Sequence, residues 1–371
     1  MNRLAIRNLV QSKRVVLISV GGVTLALLLM LTLDAIFTGV ERQITAYVDF
    51  SGADIWVSQE SVRNLHMTTS SLPAGVAERV GEVGGVAEAV PILYLSNMIV
   101  TGEDRHLAYV IGLPPDASMG GPWRLAEGRP LSGSGQAIID RSVAEGSGTS
   151  VGDEVEILGR ALEVVGLAEG TASLVNSVAF IAAEDFAQLR GGGEAVSFVL
   201  VRVAVGAETA SEVAARIETE VEGVTALPRA EFAAEERRVV RDMSTDVVTI
   251  MNLVGFLIGL AVMALSVYVA TLSRRSEFGV LKALGAKTSD LNRVVILQSL
   301  LSVGIGFVLA AALTFALSMI IPSLSANLTL RLSAASLLKV AAASVVIAGA
   351  AALMPVRQIA RLDPAMVFRG K

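Results

Sequence analysis

The chain has 371 residues, 53% of them apolar and 18% charged, with a formal net charge of −5 and a mean hydropathy of +0.63. That balance is too apolar for an ordinary soluble protein and points to a membrane protein, with no nucleic acid among its partners. Cysteine is absent, so disulfides and thiolate metal ligands are excluded, and the compartment of the polar region has to be read from charge instead.

Four apolar runs reach the length of about 20 residues that a bilayer-crossing helix needs: Val15 to Phe37, Val247 to Leu272, Val294 to Ile321 and Leu337 to Val356. The first is longer than the apolar core of a usual signal peptide and no small-x-small site closes it, so it is expected to stay as an anchor. Lys and Arg concentrate beside these runs: Arg3, Arg7, Lys13 and Arg14 before the first, five basic residues in 273–293, and four in 356–371. The loop between the third and fourth runs offers only Arg331, with Lys339 just inside the fourth. By the positive-inside rule both termini and the 273–293 loop face the cytoplasm.

The expected order is a cytoplasmic amphipathic N-terminus (1–14), a first span (15–38), an extracytoplasmic domain with stalk helices (39–246) and a second span (247–272). A cytoplasmic loop (273–293), a third span (294–321), an outer loop (322–336), a fourth span (337–356) and a cytoplasmic tail (357–371) follow. The location is the cytoplasmic (inner) membrane.

Residues 40–246 carry 15 Arg, no Lys and 31 Asp plus Glu, a net of −16 (15 − 31). A solvated surface explains this charge; attraction of a cationic ligand is the functional alternative, and nothing in the spacing favours it. Two stretches resemble each other, VAERVGEVGGVAEAVP from Val76 and VAARIETEVEGVTALP from Val213. Each begins as an amphipathic helix, ends at proline and lies beside an alternating strand-like run, Ile92 to Val100 or Val196 to Val205, so each reads as half of an α/β sandwich; chance similarity of two Ala/Val/Glu-rich helices competes with that reading. Between them, residues 109–185 read as an inserted small β module, with strands near Gln136 to Ile139, Glu154 to Leu158, Ala161 to Val165 and Ser177 to Ile181. Residues 231–247, EFAAEERRVVRDMSTDV, form a charged helical stalk running into the second span, with Gly39 to Tyr47 as its partner.

No catalytic constellation emerges, so the chain reads as a non-catalytic subunit. His66 beside Met67 is conceivable as a metal or haem ligand pair, but a lone exposed His with a nearby Met is more often neither. Leu284 to Thr288, LGAKT, resembles the tail of a phosphate-binding loop, yet Ala286 precedes Lys287 and Gly279 is at the wrong spacing for that motif. No nucleotide or metal site follows, and no cofactor is expected on this chain. Gly255 and Gly259 form a small-xxx-small pattern suited to dimer or helix packing. Asp34, Asn252 and Gln298 are the polar residues inside the spans, and Asp34 sits close enough to the end of the first span to lie at the interface.

The stretch SRRSEFGVLKALGAKTSDL after the second span and LDPAMVFRG near the C-terminus resemble the FtsX/MacB-like permeases of ABC transporters, the type VII mechanotransmitters. Glu277, Gly279, Leu281, Lys282, Ala283, Leu284 and Gly285 fit that family's E-x-G-x-L-[KR]-A-[LI]-G pattern. The resemblance implies an α-helical membrane protein with four transmembrane helices plus an α+β extracytoplasmic domain of porter-like halves with an inserted β module. It also implies a permease homodimer in the lipid bilayer with two copies of a separate ABC ATPase that holds ATP and Mg, and a periplasmic adaptor as a further candidate partner. The compact chain is similar to the DevC-like and haem-exporter permeases. The implied function is coupling of ATP hydrolysis to export or extraction of a hydrophobic or amphiphilic substrate, whether haem, drug, peptide or lipid; the alternatives are an FtsX-like regulatory subunit and a lipoprotein-releasing permease.

Under that resemblance the ATPase-coupling residues are Arg274, Arg275, Glu277, Phe278, Gly279, Leu281, Lys282, Ala283, Leu284 and Gly285. Phe278, Leu281 and Leu284 are expected to form the apolar stripe, with Glu277 and Lys282 pointing elsewhere. Gly285 suits a helix C′ position, and Thr288 or Ser289 suits the next N-cap. An ordinary positive-inside loop is the competing account, which periodicity alone favours. The haem-exporter likeness places cargo near Asp34, Phe37, Met243 and Met251.

Overall fold

The computed structural model describes residues 13–73, 75–102, 104–173, 176–189, 195–206, 208–324 and 328–360. Arg3, Arg7 and the C-terminal LDPAMVFRG lie outside them. The first part of the chain runs α1 (Lys13–Phe50), β1 (Ile55–Gln59), α2 (Val76–Gly81), β2 (Val86–Thr101), β3 (Asp104–Leu113), β4 (Leu125–Gly128), β5 (Gln136–Asp140), α3 (Arg141–Ser147), β6 (Glu154–Ile157) and β7 (Arg160–Ala168). It continues with β8 (Ser177–Ala182), α4 (Ala183–Leu189), β9 (Phe198–Val203), α5 (Ala210–Glu220), β10 (Val224–Pro228), α6 (Arg229–Ser273), α7 (Arg275–Ala283), α8 (Thr288–Leu324) and α9 (Ala334–Ala360). Two units result: an α/β unit of Val40–Met243 with Ala326–Leu328, and a helical unit of Met1–Gly39, Ser244–Ser325 and Thr329–Lys371.

The two similar stretches of sequence become the helix and following strand of two βαβ halves, β1–α2–β2 and β9–α5–β10. Their strands interleave in the order β10-β1-β9-β2, every pair antiparallel, which is the split βαβ arrangement. Strand alternation sorts the side chains. Ile55, Val57, Val199 and Val201 face α2 and α5, where Val76, Val80, Val213 and Ile217 complete one core. Trp56, Phe198 and Leu200 point to the other face and pack with Tyr47 of α1 and Phe232 of α6. Thr209 and Glu212 form a capping box at the start of α5, satisfying amide groups that the helix itself cannot pair. In α2 the sequence Gly-Glu-Val-Gly-Gly ends the helix early, and Gly85 turns the chain into β2 at φ 94°, where a side chain is disfavoured.

The insertion grows from β2, whose 16 residues serve two neighbours: Val86–Ile92 pair with β9 and Leu93–Thr101 pair with β3. Beyond it the sheet continues β3-β8-β5-β7-β4, with β6 pairing β2 and β7. The expectation of an all-β module is corrected here, because residues 109–185 contain α3 and the start of α4 and the pairs β3–β8 and β5–β7 are parallel. Both helices are seven residues long, too short for helical periodicity to register. α3 is defined by its ends instead: the Asp140 carboxylate accepts from the Ser142 amide at 2.8 Å, and Gly148 closes it in the left-handed region at φ 70°.

In the helical unit four segments are long and apolar enough to cross a membrane: Leu17–Phe50, Thr245–Ser273, Thr288–Ile321 and Ala334–Arg357. Glycines set how closely α6 and α8 approach α1. A Cβ on Gly255 would lie 2.8 Å from Met30 Cγ, one on Gly259 3.2 Å from both Ala26 Cβ and Ile347 Cδ1, and one on Gly306 3.2 Å from Val23 Cγ1. The Gly255/Gly259 pattern therefore seats α1 and α9 within one chain. Val23, Leu27, Leu31, Met263, Val303 and Ala351 belong to the core that these contacts bring together. The segment before α9 is tied to α1 by the Arg331 amide donating to the Ala35 carbonyl at 3.0 Å, and α9 itself by an ion pair between Lys339 and Asp34.

Gly39 carries the tightest constraint. A Cβ there would sit 1.9 Å from the Thr329 carbonyl oxygen, so backbone would have to move. Gly39→Ala is expected to cost about 1–3 kcal/mol through this overpacking, read as a lower Tm of the detergent-purified chain. Gly21→Ala, which meets nothing within 4 Å, should hold or raise it; equal values would remove the constraint.

The tyrosines of the α/β core give a second expectation. Burial raises the Tyr94 phenol, with the charges of Tyr109 and Glu236 adding to it. Burial also pushes Tyr109 up to about 12, with Glu236 adding and an Asn176 hydrogen bond opposing. Both hold their protons more tightly in the folded than in the unfolded chain, where phenols ionise near pH 10. Their stabilisation is complete below about pH 10 and lost as pH rises through the folded values. Tm should fall between about pH 10 and 12, and Tyr94→Phe should flatten that fall.

Candidate functional site

α7 follows α6 after one residue, Arg274, and its two faces have separate roles. Phe278 is 6% exposed and packs with Leu291 and Val295 of α8, with Leu281 and Ala286 against the same cluster. Gly279 is also buried. This face anchors the helix to its own unit.

The opposite face differs from the expected stripe. Leu284 is 79% exposed and Val280 42%, and Glu277 is exposed with them. Phe278, Leu281 and Leu284 stand at i, i+3 and i+6, so the third has turned well away from the first. Glu277, Val280 and Leu284 stand at i, i+3 and i+7 and share a face. Leu284 moves from the buried set to the outward set, and Val280 joins it; counting from Glu277 rather than from Phe278 is the signal that would have found it. Ala283 is exposed, Lys282 and Arg274 are half-buried and engaged with neighbours, and the side chain of Arg275 lies outside the described residues.

α7 is stopped at its C-terminus. The Leu284 amide donates to the Val280 carbonyl at 2.9 Å, the Gly285 amide to Lys282 at 3.1 Å and the Ala286 amide to Leu281 at 3.0 Å. Gly285 stands in the left-handed region at φ 92°, the C′ geometry that glycine accommodates best. α8 starts at Thr288, and the Lys287 carbonyl accepts from the Asp290 and Leu291 amides. Lys287 therefore precedes the helix, and Thr288 and Ser289 lie inside its first turn rather than at the cap. The acidic residue suited to the positive end of that helix is Asp290.

The residues linked to cargo by resemblance are placed as follows. Asp34 is paired with Lys339, its side chain 13% exposed. Phe37 is half-buried on α1 and Met251 exposed on α6; the side chain of Met243 lies outside the described residues.

His66 is drawn into the α/β unit rather than left exposed, while Met67 stays 63% exposed. Glu236, on the N-terminal part of α6, is fully buried. It accepts from the Leu65 amide and is held by His66 Nδ1, and the His66 ring meets Tyr109 edge-on at 5.0 Å. Arg63 of the same loop reaches Glu231 at 2.8 Å and Glu235 at 3.6 Å. The 63–66 loop thus clasps α6 at three carboxylates. Glu236 was legible only as one more stalk charge, although its position one turn after the apolar Phe232 marks an inward face. Among the described residues no group of three or more His, Asp or Glu is placed to hold a metal ion.

Glu236→Ala would leave the buried Leu65 amide and His66 without their acceptor, a cost of about 1–3 kcal/mol. Arg63→Ala, which removes only half-exposed pairs, should cost under about 1 kcal/mol. Thermal denaturation of the two variants side by side checks the order.

The model of the MacB-like periplasmic core domain matches residues 16–220, and that of the FtsX-like permease C-terminal region matches 249–364. An uncharacterized ABC transporter permease of Mycobacterium bovis is 21% identical over 99% of both chains. Another, of Mycobacterium tuberculosis, is 22% identical over 85% of this chain and 87% of its own. Among solved structures, the periplasmic region of MacB from Actinobacillus actinomycetemcomitans is similar at a TM-score of 0.40 and 12% identity, covering 50% of this chain and 93% of that one. The extracellular domain of the transporter YknZ from Gram-positive bacteria gives 0.34 and 18%, covering 47% and 100%. With the first model covering the α/β unit through α5 and the second running from α6 across α7 to the end of α9, the chain belongs to the FtsX/MacB-like family of ABC transporter permeases.

Proposed function

We propose that the chain is the membrane subunit through which ATP hydrolysis in a separate ATPase drives export or extraction of a hydrophobic or amphiphilic substrate at the outer membrane face. The observation that carries this is α7. A short helix fixed to its unit by Phe278, and stopped by Gly285, turns an exposed Glu277–Val280–Leu284 face outward. Exposed leucine and valine beside a carboxylate on a helix flanked by basic residues suit a protein partner better than lipid or water.

The partner in this reading is an ABC ATPase, two copies serving two copies of the permease, with ATP and Mg on the ATPase. Both termini and α7 lie on the cytoplasmic side, following the Lys and Arg beside the spans. α6 is a single helix of 45 residues that begins in the α/β unit and ends one residue before α7. In this reading force applied at α7 enters that helix, and ATP hydrolysis itself belongs to the partner ATPase.

Leu284→Asp and Glu277→Lys change the outward face without touching Phe278. Each should lower ATPase activity stimulated by the permease at least about tenfold, since a charge placed in a docked apolar contact costs more than about 1.4 kcal/mol. The reading is checked with permease and ATPase co-reconstituted in lipid discs and with resistance assays in cells. Unchanged stimulated hydrolysis would sink the coupling role. Coupled hydrolysis with no change in resistance to haem or drugs, but with defective septation, would favour a regulatory subunit instead.

A further inference from the structure

A cleft of about 430 Å³ opens in the α/β unit between the segment after β3, the β4–β5 loop and the start of α4. Four of the chain's ten prolines line it: Pro114, Pro115, Pro122 and Pro130. Each fixes its own φ, so the walls are set before any ligand arrives and little ordering entropy is lost on binding. Leu113 and Ile138, both buried, supply an apolar floor.

The β4–β5 wall is braced from behind. The buried carboxylate of Asp185 accepts from the Gly135 amide at 2.7 Å and from Ser134 Oγ at 2.5 Å, and it is balanced by Arg160 at 3.1 Å. Asp185 is thus committed to the wall, and the charge offered to the cleft comes from elsewhere.

Among the described residues the charged side chains lining the cleft are both carboxylates, Asp116 and Glu184, with no Lys, Arg or His. Arg129, next to Pro130 of that rim, donates to Ser132 Oγ at 2.8 Å and to Gln136 at 3.3 Å. The volume falls in the range of small-molecule sites, about 300–1,000 Å³. An apolar floor, rigid walls and a rim of carboxylates fit a molecule with an apolar body and a cationic head, and the lysine-free, acidic surface around it would raise the local concentration of such a cation.

We infer that this cleft binds cationic amphiphiles, taking the apolar body between the prolines and the ammonium group at Asp116 and Glu184. The assignment stands apart from the coupling role of α7, because binding here requires no ATPase.

The test uses the full chain in discs of zwitterionic lipid, with empty discs subtracted, and three dansyl-alkyl probes that differ only in an ammonium, hydroxyl or carboxylate end. The ammonium probe should bind saturably and tighter than the other two. Asp116→Asn with Glu184→Gln should weaken it about fivefold, in line with two exposed charge contacts, and leave the hydroxyl probe unchanged. Asparagine suits position 116, whose φ of 58° lies in the left-handed region that Asn tolerates. Gly133→Phe fills the mouth of the cleft from a position where a Cβ meets open space, and it should remove saturable binding of every probe. Absence of saturable ammonium binding, equal affinity for all three probes, or binding that survives both variants would overturn the inference.

Discussion

Within a bilayer, apolar side chains gain nothing by leaving lipid for one another, so helices must be held by close backbone approach and by the few polar contacts available. The helical unit answers this constraint with glycine. Gly255 and Gly259 on α6 and Gly306 on α8 open space for Met30, Ala26 and Val23 of α1. The Asp34–Lys339 pair then secures α9, and the Arg331–Ala35 hydrogen bond the segment leading into it. A charge in this setting is tolerable because its counter-charge is supplied by the neighbouring helix.

The α/β unit solves a different problem, because it can use the hydrophobic effect. Its four-stranded βαβ sheet has two apolar faces. One is covered by α2 and α5, and the other by the last turns of α1 and the first of α6 through Tyr47 and Phe232. Trp56 stacks on Phe232 at 4.9 Å, so the start of α6 is part of the core rather than an appendage. The 63–66 loop adds the buried Glu236 contact on the same stretch of helix. The interval between this packed start and the single-residue link to α7 is one unbroken helix.

Much of this was legible in the sequence because the signals were long or strongly periodic. The four spans, the paired VAERVGEVGGVAEAVP and VAARIETEVEGVTALP stretches and the glycine ending α7 each rest on runs or fixed spacings. What escaped depends on contacts between residues far apart in the chain. α3 and α4 are too short to show a period and are specified by capping and by the sheet around them. Leu284 was assigned to the wrong face by a count that ran past the end of the helix. The burial of Glu236 required knowing that His66, 170 residues away, would be brought against it, and no local pattern encodes that meeting.

The charge of the α/β unit is where sequence and structure sharpen each other most. An acidic composition alone is compatible with a merely solvated surface. The structure shows how eight of its 15 arginines are spent: Arg63, Arg124, Arg141, Arg160, Arg202, Arg216, Arg238 and Arg241 lie in ion pairs with carboxylates. Arginine suits that work because its planar guanidinium holds a carboxylate in fixed geometry, whereas a lysine would remain a mobile point charge. With those cations committed locally, the remaining carboxylates set the field outside the unit, and a cleft whose charged lining is two of them inherits that sign. The 15 arginines of residues 40–246 offset only about half of the 31 carboxylates, and it is this excess, not the missing lysine, that gives the unit its negative potential.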